Sequence, residues 1–513
     1  MVGDSIRARL VIIRRPGADP LSHPSRRTLL ALVGLVALAL AVTAWARRHS
    51  FPEVAWPDEC IYLVGTRNLL EEGSLHTNFY LTHSILVRGH PHRDVHMPGY
   101  VLALAPFVGV LGPTLLAGAI LNVLLFAGST LLVYAIGRRL LDDPVQAAVA
   151  AALFTVLPPF PGYLFVVYPE LVVSFVFLAG LAWLLKGGGI RHAALAGALF
   201  GVGALFRETL LLALPVYLLR IPRRDLVRGF LPAALVTLLV VVAPLSRDRA
   251  VHPNAIYPSV LEEARRSETP LRTLGAALQA NVVRNLRLAA QADPVRNAED
   301  AVLTLLVLLA LVAAASWSRR RGPALAFGLG VFASLALLTA AVLVLYVIRE
   351  RGGVWGGVRA YMPWAPVLLV MSVPILFLPA RRWISIGLVV GVAASLLAID
   401  SRQAFFFRRY KETNHEDQAR NARYLATWID RYRPRRIVSR SFLYGLTHYP
   451  VEVIWSLPED AQELRALEAA IGFDFLVLHE ASPLRLSLIA NPRYVRINKE
   501  DRRAEFLVWR RLY

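Results

Sequence analysis

The chain has 513 residues, with 56 lysines and arginines against 36 acidic residues (net charge +20), 56% hydrophobic residues and 18% charged ones. Soluble domains run at about 45–50% apolar and about 25% charged, so this balance excludes an ordinary soluble protein and points to a polytopic membrane protein. One cysteine, Cys60, excludes a disulfide framework within the chain and any four-cysteine metal site. The basic excess raises nucleic acid as a partner, but much of it lies in short loops between apolar runs, so membrane topology explains it better and no nucleic-acid partner is expected.

A helix needs about 20 mostly apolar residues to cross a bilayer. The runs at 28–46, 114–137, 145–160, 170–186, 229–246, 301–316, 323–347, 361–379 and 383–399 are long enough or nearly so. Residues 98–112 are apolar but short and carry Pro98, Pro106 and three glycines, which predicts a re-entrant or interfacial segment. The run 193–219 is broken by Arg207-Glu208, and a charged pair amid lipid is expensive, so it reads as two short helices meeting at the outer surface. With these choices the basic loops 138–143, 186–192, 220–228, 318–322 and 380–382 share the cytoplasmic side with the arginine-rich N-terminus. That is the positive-inside pattern, and it gives about eleven spans.

The expected organisation is a cytoplasmic tail (1–27), a transmembrane domain (28–400) whose first outer loop is 47–97, and an extracytoplasmic α/β domain (401–513). Residues 1–27 are too long and basic before the first apolar run for a signal peptide, so that run is read as a retained span. The tail alternates helical stretches (415–432, 459–471) with β-branched or aromatic runs at Arg436–Ser439, Val451–Trp455, Phe473–His479, Tyr494–Ile497 and Glu505–Trp509.

Chemistry concentrates in the outer segments. The first loop reads W-P-D-E-C-I-Y, with Asp58 and Glu59 soon after the first span. A carboxylate fixed at a membrane face suits a general base; equally, acids suit a helix start, with Pro57 in its first turn. Helix neighbours point apart, so one of the two acids should be structural. Glu170 opens a span at the same face, where an acid is a functional candidate and the helix dipole the plainer reason. Arg207 reads either as half of an ion pair with Glu208 or as an anion contact. Arginines in the glycine-rich stretch 349–366 run against the topological bias, and a lipid phosphate is a reason for them, since guanidinium matches phosphate oxygens. Six of the twelve histidines lie in the first loop, and His90, His92, Asp94 and His96 form a weak metal constellation beside a plainer reading of hydrogen bonding to sugar or phosphate. No nucleotide is needed, no cofactor is certain, and a divalent metal stays open. Gly197–Gly203 reads as helix packing, and no Walker, Rossmann or zincin pattern is present.

Taken together, the P-D-E of the first loop, H-M-P-G-Y at 96–100, the acid opening a span at Glu170, L-F-R-E-T-L at 205–210 and R-A-Y-M-P-W-A-P at 359–366 resemble the GT-C superfamily of membrane glycosyltransferases. The likeness is to the bacterial branch similar to protein O-mannosyltransferases and the aminoarabinose transferase of lipid A (glycosyltransferase family 39), and it covers roughly 28–380. It implies an all-α GT-C membrane domain in the bacterial cytoplasmic membrane. Such an enzyme takes a sugar from a polyprenyl-phosphate donor and passes it to a lipid, glycan or protein acceptor outside. By the same resemblance Asp58 is the catalytic base, Glu59 its supporting neighbour and Glu170 a second acid, while Arg359 and Tyr361 hold the donor phosphate. Arg207 and His96 stand where relatives have lysine, so a phosphate contact by His96 depends on pH.

Two other classes compete. A transporter or flippase for an anionic lipid or solute tends to show paired repeats and midplane polar groups, whereas here no internal repeat is evident and the acids share one face. A non-catalytic partner in envelope assembly would be indifferent to Asp58→Asn.

Overall fold

The computed structural model describes residues 57–73, 75, 77–80, 98–247 except 142, 159, 187 and 188, then 302, 305–312, 323–348, 361–377, 383–398, 424–439, 449–454, 457–458, 460–479, 482, 484–498 and 506–512, with 30, 31, 33, 34, 36–38, 40, 41 and 45 ahead of them. Most of these residues are helical and pack around one large apolar core that takes in Phe126, Phe154, Phe177, Tyr217, Phe230 and Trp364.

The helices follow the apolar runs. Leu115–Leu140 is 26 residues without an internal proline and ends on Arg138 and Arg139. Among the described residues it is the one helix long and apolar enough to cross a membrane alone, the other apolar helices being 10–17 residues there. Leu124, Leu131, Leu235, Val236, Val312 and Ile386 are exposed on helix exteriors. So much outward apolar surface suits a lipid environment better than water.

Glycines set the closest helix contacts. A Cβ on Gly197 would stand 2.2 Å from the Phe230 carbonyl oxygen, and one on Gly201 would stand 2.8 Å from that of Ala234. The helices Ile190–Phe206 and Leu231–Arg247 therefore touch backbone to backbone, the packing role read from the small residues.

The segments 98–112 and 193–219 have the following boundaries. Pro98–Leu111 is a separate 14-residue helix, split from Leu115–Leu140 by a turn in which Gly112 has φ +72°. Tyr100 at its start lies beside Asn122, and Thr66 and Leu70 of the Pro57–Glu72 helix lie along it at Val101 and Gly109. It thus begins at the end of the bundle where Glu170 opens its helix and does not run the length of the core. The 193–219 run breaks at Arg207, extended at φ −159°, between Ile190–Phe206 and the 3-10 turn Glu208–Ala213 that leads into Leu214–Arg220.

The C-terminal region forms a six-stranded sheet from β1 (Phe79–Tyr80), β2 (Arg436–Ser439), β3 (Glu452–Ile454), β4 (Phe475–His479), β5 (Tyr494–Arg496) and β6 (Phe506–Arg511), in the order β1-β3-β2-β4-β6-β5. The pairs from β1 to β4 are parallel; β4–β6 and β6–β5 are antiparallel. Helical residues 424–432, Ala461–Ala470 and Leu484–Ile489 accompany it. The five strands expected in the tail are present within two residues of their predicted starts. The sixth, β1, comes from the first loop, so the sheet is not built from the tail alone.

Candidate functional site

The Pro57–Glu72 helix is buried on two sides. Tyr62 and Leu63 enter the bundle core, while Cys60, Ile61 and Val64 join Leu425, Ile429, Val453, Phe475 and Val477 of the C-terminal domain. Pro57 and Asp58 stand in its first turn, as the sequence predicts. Farther along, Arg67 is almost fully buried, and burial pulls its guanidinium below the ordinary arginine value against the opposing pull of Glu71 and Glu72.

Glu59 points into the bundle. It is 1% exposed, and its Oε1 accepts the backbone N–H of Val167 at 2.7 Å. This carboxylate therefore ties the Pro57–Glu72 helix to the 161–169 turn. Asn122 holds the same turn from the other side, its Nδ2 donating to the carbonyls of Tyr163 at 2.9 Å and Val166 at 2.6 Å. Between them Tyr62, Tyr100, Tyr163 and Tyr168 form edge-to-face contacts with ring centroids 4.9–6.5 Å apart. The Tyr100 hydroxyl is buried against Asn122 within electrostatic reach of Tyr62, Glu170 and Glu59.

Glu170, 2% exposed, opens the helix Glu170–Lys186 immediately after this turn. Its Oε1 accepts from Arg207 Nη1 at 2.8 Å, with the arginine side chain 22% exposed. The ion pair shown for Arg207 is thus with Glu170 across two helices; the Glu208 side chain is outside the described residues. Gly99 at the start of Pro98–Leu111 lies on the Leu205 backbone, where a Cβ would come within 2.8 Å, which brings the first turn of that helix onto the helix break. Tyr361, half-buried, heads the last of these segments, and three residues on Trp364 packs on Phe177 at 4.6 Å. The structure thus brings Glu59, Glu170, Arg207 and the backbone position of Asp58 to one end of the bundle.

Three of the basic loops gather at the other end. Arg139 donates to the Ala182 carbonyl near the close of Glu170–Lys186, the Asp225 carboxylate accepts the Gly189 N–H at 3.1 Å, and Gly229 rests on the Ile190 carbonyl. Three of the five basic loops are therefore together, opposite Glu59 and Glu170.

Arg359, His90, His92, Asp94 and His96 lie outside the described residues, as does the Asp58 side chain. Among the described residues no three His, Cys, Asp or Glu side chains cluster as a metal would require. Asn122 and Tyr100 were not singled out from the sequence. An amide within a 26-residue apolar helix was the available signal for Asn122, because a polar group at such a depth needs a partner.

Residues 90–246 match a family model described as dolichyl-phosphate-mannose-protein mannosyltransferase. No curated protein matches the chain. Among solved structures the fold is similar to ArnT from Cupriavidus metallidurans in the apo state (TM-score 0.54, 15% identity, covering 94% of this chain and 98% of that one) and bound to undecaprenyl phosphate (0.52, 16%, 93% and 97%). It is also similar to the archaeal oligosaccharyltransferase AglB from Archaeoglobus fulgidus in complex with an inhibitory peptide and a dolichol-phosphate (0.51, 12%, 89% and 70%). These neighbours are GT-C glycosyltransferases, and the resemblance drawn from the motifs holds in both the matched family and the fold.

Proposed function

We propose that this protein transfers a hexose or pentose from a polyprenyl-phosphate donor to an acceptor hydroxyl at the outer face of the bacterial cytoplasmic membrane. The acceptor is a lipid, glycan or protein. The observation that carries the reading is the placement of buried Glu59 and of the Glu170–Arg207 ion pair at one end of the bundle, on and beside the Asp58 helix, opposite three of the basic loops. The positive-inside rule puts that end outside. It is supported by structural neighbours bound to undecaprenyl phosphate and dolichol-phosphate. In this reading the chain comprises a cytoplasmic tail (1–27), a membrane domain of about eleven spans (28–400) and an extracytoplasmic domain (401–513).

The reaction is a single displacement. The acceptor oxygen bonds to the anomeric carbon as its proton passes to the Asp58 carboxylate. The bond from that carbon to the phosphate oxygen breaks, and its electron pair leaves with the polyprenyl phosphate. Charge rises on the phosphate as the bond breaks, so preorganised cations there lower the barrier. Arg359 and Tyr361 take that role, assisted by Arg207 and His96. Glu59 holds the helix against the 161–169 turn, and Glu170 aims Arg207.

The experiment is transfer from a synthetic polyprenyl-phosphate sugar by purified protein, with the anomeric configuration of the product read by NMR. Inversion is expected. A product of retained configuration rejects single displacement, and movement of the lipid across vesicles with no product favours a flippase.

A further inference from the structure

Resting on the glycosyl-transfer reading, we propose that Arg67 is a positioning residue through which the C-terminal domain holds the Asp58 helix in place. The Pro57–Glu72 helix meets that domain at three points. Cys60, Ile61 and Val64 fill the apolar face of the sheet. One turn on, Arg67 Nη1 donates to the Tyr449 carbonyl at 3.3 Å and Nη2 to Asn68 Oδ1 at 3.1 Å, with Glu71 3.6 Å from Nε. Then Asn68 Nδ2 donates to Asn78 Oδ1 at 3.0 Å, while the Asn78 carbonyl accepts the Val453 N–H at 2.7 Å. Strand β1 continues that link by pairing Phe79 with Val453 and Tyr80 with Ile454.

A loop that leaves the helix and returns as an edge strand clasps the helix to the domain. Arg67 lies about 13 Å along the axis from Asp58, so a change in its anchorage tilts the first turn without touching a reacting atom. Its burial argues for a purpose, because a guanidinium is costly to desolvate unless its hydrogen bonds are made. A displacement of about 1 Å at a catalytic group costs on the order of 100-fold in rate, so a small loss of anchorage is visible in turnover.

Cys60, buried between helix and sheet and alone of its kind in the chain, supplies a readout independent of catalysis. Full-length Arg67→Met, Arg67→Lys and Asn78→Ala are compared with wild type for the rate of Cys60 modification by a maleimide, and for kcat and donor KM. Arg67→Met is expected to raise the Cys60 rate and lower kcat by about tenfold or more each, with donor KM changed by less than about threefold. Arg67→Lys restores part of both, and Asn78→Ala moves both the same way by less. Unchanged Cys60 protection and kcat in Arg67→Met and Asn78→Ala overturns the proposal, as does a rise in donor KM that accounts for the whole loss. If wild type transfers no sugar, the functional reading fails, and Cys60 protection still decides whether these residues hold the helix.

Discussion

The two ends of the helical bundle hold charge in opposite ways. At one end Glu59 and Glu170 are almost fully buried, each with a defined partner, the Val167 amide and the Arg207 guanidinium. At the other, Arg138, Arg139, Arg223, Arg224 and Lys186 close helices or turns at positions that are exposed or half-buried. Burying a charge costs several kcal/mol unless its partners are in place, whereas cations at helix C-termini are favoured by the dipole and by topology. In the proposed reading, the first set serves chemistry and the second serves orientation in the membrane.

Substitutions sharpen this contrast. Asp58→Asn is expected to lower transfer by about 10²- to 10⁴-fold with the donor lipid still bound, as measured by turnover and by lipid retention. Arg207→Ala leaves Glu170 buried without its cation and should cost about 3–5 kcal/mol in thermal unfolding. Pairing Arg207→Met with Glu170→Gln should recover most of that stability without recovering transfer. Gly197→Ala forces the Phe230 backbone away and should cost about 1–3 kcal/mol in the same assay while Asp58 is untouched. The smallest effect belongs to the opposite end: Arg138→Ala and Arg224→Ala should each shift stability by less than about 0.5 kcal/mol and leave turnover unchanged. A large loss of transfer from either would break the division between the two ends.

Much of the bundle was legible because apolar runs and proline or charge breaks act locally. Arg207 announced a break since a cation amid apolar residues must leave lipid or find a partner, and the helix does end there. The partner itself was not legible. Adjacency offers Glu208, whose side chain lies outside the described residues, and nothing local points to Glu170, which reaches Arg207 from a helix 37 residues away in sequence. That one of the two adjacent acids is structural follows from helix geometry, but the acceptance by Glu59 of an amide 108 residues away is a fact of packing. Strand β1 gave no signal, because two residues carry no periodicity and their partner strand β3 lies far away in the chain, Phe79 pairing with Val453.

The central claim is that a polyprenyl-phosphate sugar is the donor. Mass spectrometry of lipids co-purifying with the detergent-extracted protein tests it most directly, comparing wild type with Asp58→Asn and Arg359→Ala. A polyprenyl-phosphate sugar held by wild type and Asp58→Asn and lost from Arg359→Ala is the predicted result; no such lipid on any of the three would contradict it.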